Sequence, residues 1–146
     1  MTVLDAGVII AGFLGEPGRV IAEELLSGRP TEPVMNGVNA GEVVAKLGRG
    51  GPDALNDVLN KMVWLKHGGL EIVNFDASDG QVAGTFRAKY YDARTRAVSY
   101  ADCAALATCI RYGRALATTD SVLARLAVEI DIAVIGVPNS AGVLPL

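Results

Sequence analysis

The feature that most restricts the fold is an alternation. Short β-branched or wholly apolar runs take turns with longer segments of helical spacing from one end of the chain to the other. Val3-Leu4 opens a short strand, and after Asp5 the apolar residues Val8, Ile9, Phe13 and Leu14 recur at helical intervals. Gly15-Glu16-Pro17-Gly18 separates this helix from a second, Arg19 to Leu26, and Pro33-Val34-Met35 reads as a second strand. Val38 to Leu47 is helical again, and Gly48-Arg49-Gly50-Gly51-Pro52 breaks the pattern ahead of a long amphipathic helix from Asp53 to Lys66. Leu70 to Phe75 alternates as a strand. Ser78-x-x-Gln81 has the form of a capping box for a helix running to Tyr91, and Ser99-x-x-Asp102 heads another that ends at Tyr112-Gly113. Ala115 to Thr118 then reads as a buried strand, Ser121 to Val128 as a helix and Ile132 to Val137 as a last strand. Strands separated so regularly by helices imply a parallel sheet covered on both faces. The expectation is a single α/β domain over residues 1–146, three-layered α/β/α, with a central parallel sheet of about four or five strands.

Composition removes several kinds of chemistry. Among 146 residues there are two cysteines and one histidine, so zinc sites and histidine-based triads lack raw material. Cys103 and Cys109 are six residues apart, about 240° around a helix, where they cannot bridge, and they read as small core residues. His67, followed by Gly68-Gly69, reads as the last turn of a helix at its glycine stop. The longest nearly uncharged apolar stretch, Ala6 to Leu14, is about half of the ~18 residues that a membrane-spanning helix needs. No positive region precedes it, so the expected location is the cytoplasm. The formal charge is −3, which opposes a polyanionic partner, but the halves differ: residues 1–80 carry eleven acids and six bases, and residues 81–146 carry five and seven. The densest basic run is Arg87, Lys89, Arg94 and Arg96, interleaved with Tyr90 and Tyr91. It reads either as a solvated helix surface or as a face for a phosphate backbone.

On an open parallel sheet, ligands bind beyond the carboxyl ends of the strands. Asp5 falls there after the first strand, and Asp120 follows the strand that finishes Ala117-Thr118-Thr119. Glu42 and Asp102 lie inside otherwise apolar helices, company that charged groups rarely keep without a partner. Each has a plainer reading. Asp102 and Asp120 could cap helices, and Glu42 could pair with Lys46 four residues on. Asp5 has no helix to cap unless the next one starts at once. Carboxylates that converge repel one another, and a bound cation resolves the repulsion. An oxygen-only donor set prefers a hard ion, Mg²⁺ or Mn²⁺, and such an ion suits phosphoryl chemistry.

Val3-Leu4-Asp5, Asn39-x-x-Glu42, Ser99-x-x-Asp102 leading an Ala/Leu-rich helix, and Thr118-x-Asp120, in this order, resemble the PIN domain, in particular the VapC-type ribonuclease toxins of bacterial and archaeal toxin–antitoxin pairs. The resemblance implies a metal-dependent endoribonuclease. Asp5 and Asp102 would be the main ligands of Mg²⁺ or Mn²⁺. Glu42 and Asp120 would complete the shell or orient the attacking water, Thr118 and Asn39 would support the cluster, and Lys46, Arg87, Lys89, Arg94 and Arg96 would meet the RNA backbone. It further implies a homodimer and a cognate antitoxin protein as partner. One position departs from the family pattern: Gly7 stands where many relatives have Ser or Thr, so a hydroxyl near the metal is missing, with Asn39 or Thr119 as candidates to replace it. A receiver-like Mg²⁺-binding signalling module fits the layering, but it needs a lysine from the last strands, and the last lysine is Lys89. A PIN-like fold kept only for RNA or protein binding is the other alternative.

Overall fold

The alternation is realised in a computed structural model that describes residues 1–27 and 31–146. The chain runs β1 (Thr2–Leu4), α1 (Ala6–Leu14), α2 (Arg19–Leu26), β2 (Pro33–Asn36), α3 (Gly37–Leu47), a single 3-10 turn (Gly48–Gly50) and α4 (Pro52–His67). It continues through β3 (Glu71–Val73), α5 (Ala77–Tyr90), α6 (Tyr100–Tyr112), β4 (Ala115–Thr118), α7 (Ser121–Glu129) and β5 (Val134–Gly136). All five strands form one parallel sheet in the order β3-β2-β1-β4-β5. The chain therefore starts in the middle, builds outward to β3, and returns to the other side of β1 to add β4 and β5. Between β1 and β4 the direction of building reverses, and this junction is where a parallel sheet leaves a crevice.

Neighbouring residues of each strand face opposite ways, and this sorts the core into two layers. Val3, Val34 and Leu116 pack with Ala83 of α5, Cys103 to Cys109 of α6 and Leu123 and Leu126 of α7. Leu4, Met35 and Ala117 pack on the opposite face with Val8 and Ile9 of α1, Ala22 and Leu25 of α2, Val43 of α3 and Val58 and Met62 of α4. Both layers are fully buried at their centres, which accounts for the strands' lack of polar alternation.

Local chemistry sets the ends of the elements. Gly113 takes a left-handed conformation (φ 62°) to close α6, as the Tyr112-Gly113 pair predicts. His67 is the exposed last residue of α4. The capping box expected at Ser78 and Gln81 is not the one that forms. α5 begins earlier, with Asp76 accepting from Ser78 N–H and Asp79 N–H while Asp79 accepts from Asp76 N–H at 2.9 Å. Asp caps as well as Ser does, and Asp79 is also held by Arg111 at 2.6 Å, so the earlier start gains an ion pair. Strands β3 and β5 are shorter than the alternating runs that contain them. Cys103 and Cys109 are free and buried, and burial pushes their thiols up to about 11 and about 12, which keeps them protonated and unreactive. Among the described residues, no helix is long and apolar enough to cross a membrane.

Candidate active site

The register of β1 on β4 pairs Leu4 with Ala117, so the next residues, Asp5 and Thr118, leave the sheet side by side. Asp5 N–H still reaches Ala117 C=O at 3.0 Å. Asp5 is 5% exposed, and α1 starts at once, so Asp5 does cap a helix: Oδ1 accepts from Ala6 N–H at 2.8 Å. Oδ2 accepts from the buried Thr118 hydroxyl at 3.0 Å. Thr118 Oγ1 in turn accepts from Asp120 N–H, also at 3.0 Å, and so ties the start of α7 to Asp5.

The other acids repeat this double use. Asp102 and Ser99 form a reciprocal capping box on α6, in which Asp102 Oδ2 accepts from Ser99 N–H at 2.6 Å. Asp120 caps α7, with Oδ1 accepting from Val122 N–H and Leu123 N–H. Glu42 Oε1 pairs with Lys46 Nζ at 2.8 Å. Each plain reading of these acids is thus correct, and each spends only one carboxylate oxygen on it. Three helix N-termini, of α1, α6 and α7, carry their acids towards one junction, where the positive ends of the helices favour negative charge.

Charge coupling links the acids in pairs, Asp5 with Asp102 and Glu42, and Asp102 with Glu42 and Asp120. Burial, then the charge of Asp102, raise the Asp5 carboxyl to about 7, with Glu42 adding to the rise and the Thr118 and Ala6 hydrogen bonds opposing it. Burial also raises Asp102, opposed by its Ser99 bonds and reinforced by Asp120 and Glu42. Lys46 is raised in turn, first by its hydrogen bond to Glu42 and further by the fields of Asp5 and Asp102. The donor set is all oxygen and suits a hard divalent cation. Among the described residues no three His, Cys, Asp or Glu side chains are gathered into a ready-made cage. An ion held here would therefore keep waters in its shell, as Mg²⁺ does beside one or two carboxylates.

The supporting residues divide. Asn39 is fully buried but engaged elsewhere: its Oδ1 accepts from Asn36 Nδ2 at 2.7 Å and its Nδ2 donates to Ala101 C=O at 3.1 Å. Asn36 Nδ2 also donates to Thr108 Oγ1 at 2.9 Å, and Asn36 Oδ1 caps α3 through Asn39 N–H. This amide clip fastens α3, which bears Glu42, to α6, which bears Asp102. Asn36 and Thr108 carry little signal in the sequence beyond an Asn placed where a strand becomes a helix. The Thr119 hydroxyl and Asp5 Oδ2 both face Gly7. A Cβ at Gly7 would overlap Thr119 Oγ1 and come within 3.4 Å of Asp5 Oδ2.

The members of the basic run have different surroundings. The Arg87 guanidinium lies 3.7 Å from the centre of the Tyr91 ring, and its buried Nε has no hydrogen-bond partner among the described residues. Lys89 and Arg96 flank Tyr90, and Arg96 is bound to Glu129 at 2.6 Å. Arg94 is exposed in the turn closed by Asp92 and Arg96.

A family model for the PIN domain matches residues 2–129. The chain belongs to the PIN domain family. Solved structures with this PIN domain's fold include a toxin–antitoxin complex from Klebsiella pneumoniae, with 16% identity, 92% of this chain and 96% of that one covered, and a TM-score of 0.66. FitAcB from Neisseria gonorrhoeae matches at 20% identity over 98% of this chain and all of its own, with a TM-score of 0.67. VapC20 of Mycobacterium tuberculosis, a toxin that cleaves the sarcin-ricin loop, matches at 16% identity, with 78% and 85% covered and a TM-score of 0.61. No curated protein sequence matches this PIN domain significantly. At these identities the likeness to the solved structures is one of fold.

Proposed function

We propose that this PIN domain is a divalent-metal-dependent endoribonuclease, the toxin of a toxin–antitoxin pair, acting in the cytoplasm as a homodimer and restrained by a cognate antitoxin protein. The observation that carries the nuclease reading is the buried Asp5 carboxylate at the β1/β4 junction, raised to about 7 first by burial and then by the charges of Asp102 and Glu42, with Asp120 in turn acting on Asp102. Uncompensated buried carboxylates are costly, and a cation removes the cost. Family membership and the toxin–antitoxin complexes among the structural neighbours support the same reading and leave the receiver-like alternative without support.

Asp5 and Asp102 would hold Mg²⁺ or Mn²⁺, with Glu42 and Asp120 nearer its waters. Once bound, such an ion supplies Lewis-acid polarisation of the scissile phosphate and a lowered pKa for the attacking water. The chain supplies the rest. Thr118 fixes the Asp5 carboxylate, and the N–H groups of Val122 and Leu123 fix Asp120 Oδ1, leaving Oδ2 to hold and orient the attacking water. Lys46, half-exposed beside Glu42, would offer its ammonium to a phosphate of the RNA, and Arg87, Lys89, Arg94 and Arg96 would meet the backbone farther away.

RNA cleavage by purified protein with Mg²⁺ or Mn²⁺ tests the reading. Chelator and Asp5→Asn are each expected to abolish cleavage. Activity that survives both overturns it, and RNA binding without cleavage in any divalent ion points to a PIN fold kept only for binding.

A further inference from the structure

Gly7 lies in the first turn of α1 with ordinary helical geometry, so its backbone does not require glycine. Space does. The volume that its side chain would fill already holds the Thr119 hydroxyl, with Thr119 Cβ at 3.6 Å from the same point and Asp5 Oδ2 at 3.4 Å. Thr119 Oγ1 makes no hydrogen bond within the described residues, although it and Asp5 Oδ2 both face Gly7 and Asp5 is 5% exposed. The preceding residue, Thr118, spends its own hydroxyl on Asp5 Oδ2 and Asp120 N–H. Two successive threonines thus serve one carboxylate differently. One is bonded to it and buried. The other faces Gly7 as Asp5 Oδ2 does, with its proton and lone pairs uncommitted among the described residues.

We infer that Thr119 is a positioning residue of the active site, whose hydroxyl orders the water or phosphate oxygen beside Asp5, and that Gly7 is glycine so that this hydroxyl can stand there. The inference rests on the nuclease reading above. Threonine at 119 is β-branched, so its χ1 is restricted and the hydroxyl does not sweep the space freely. This hydroxyl is uncommitted among the described residues and is free to donate to, or accept from, an oxygen ligand that reaches the Gly7 side of Asp5. The same space could be served from either wall, by a hydroxyl on residue 119 over a glycine at 7, or by a hydroxyl on residue 7 over a small residue at 119.

That equivalence supplies the test. Five variants are compared with wild type: Thr119→Val, Thr119→Ser, Thr119→Ala, Gly7→Ala/Thr119→Ala and Gly7→Ser/Thr119→Ala. Mn²⁺ affinity is measured by titration calorimetry, kcat and KM on RNA by cleavage, and folding by thermal unfolding. Thr119→Val keeps shape and removes the hydroxyl. It should unfold near the wild-type temperature yet bind Mn²⁺ about ten-fold more weakly and lose about 10–100-fold in kcat, with KM little changed. Thr119→Ser should stay within a few-fold of wild type. Gly7→Ala/Thr119→Ala, with the space filled and no hydroxyl, should fold and remain as impaired as Thr119→Ala. Gly7→Ser/Thr119→Ala, with the hydroxyl returned from the opposite wall, should recover most of the loss. Wild-type Mn²⁺ affinity and kcat in Thr119→Val overturn the inference alone. A wild-type protein that neither binds Mn²⁺ nor cleaves RNA overturns the nuclease reading, and the inference with it.

Discussion

Burial and the charge of Asp102 lift the Asp5 carboxyl to about 7 although Thr118 and Ala6 both donate to it, so desolvation outweighs two favourable hydrogen bonds. The folded chain therefore holds a proton at Asp5 that the unfolded chain, with a carboxyl near 3.8, has already released. Where the native state binds more protons than the unfolded state, stability falls as pH rises. The metal-free protein is thus expected to lose stability steadily from about pH 4 to about pH 7 and to level off above, with Asp102 contributing in the same direction. Thermal unfolding in chelator across that range checks this, with Asp5→Asn expected to flatten the profile and to be the more stable form at pH 8. Mn²⁺ added at pH 8 should return stability to the wild type and not to the variant, because an ion that binds only the native state shifts the equilibrium towards it. Asp5 itself is legible in the sequence, as an acid among Leu4, Ala6 and Val8. Its capping of α1 is not, because nothing in that run shows that the helix begins on the very next residue.

At the scale of elements, the amide clip joins α3, which carries Glu42, to α6, which carries Asp102. Asn36 ends β2 and caps α3, and its amide also joins Asn39 to Thr108, 72 residues away in sequence. Asn36→Ala would strand the Asn39 side-chain carbonyl and the Asn39 N–H in a fully buried place. Leaving buried polar groups unpaired costs about 1–3 kcal/mol, and the lost cap about 1 kcal/mol more. Denaturant unfolding should show a loss on that order. Mn²⁺ affinity should also fall, because Glu42 and Asp102 ride on the two helices that the clip joins. An unchanged Mn²⁺ affinity in a folded Asn36→Ala protein would show that the helices keep their separation by apolar packing alone. Every helix is legible in the sequence, most of them from recurring apolar residues and α5 and α6 from the capping residues at their starts. The clip is not, because its partners are brought together only by the sheet. The start of α5 is missed for a related reason: Ser78 and Asp76 are both good caps, and the choice is decided by Arg111 on α6, which the local sequence does not contain.

For the molecule as a whole, alternation of strands and helices predicts the layers but not the strand order. That order, with β1 between β2 and β4, is what sets Asp5 beside Thr118 and makes one crevice from residues more than a hundred positions apart. Charge follows a different logic. A polyanion must approach a chain of net charge −3, so the position of the few unengaged cations matters more than their number. Arg96 would have to give up its 2.6 Å bond to Glu129 before meeting a phosphate, whereas Arg94, exposed in the turn, has no ion pair among the described residues. Arg94→Ala is accordingly expected to raise KM for RNA several-fold, leave kcat unchanged, and reduce the slope of log affinity against log salt by about one. Arg96→Ala should instead cost up to about 1 kcal/mol of stability, with a smaller change in KM, because an exposed pair contributes little and its arginine is already engaged. The reverse ranking, with Arg96→Ala carrying the salt slope, would mean that the pair with Glu129 opens when RNA binds and that the whole run faces the substrate as one surface.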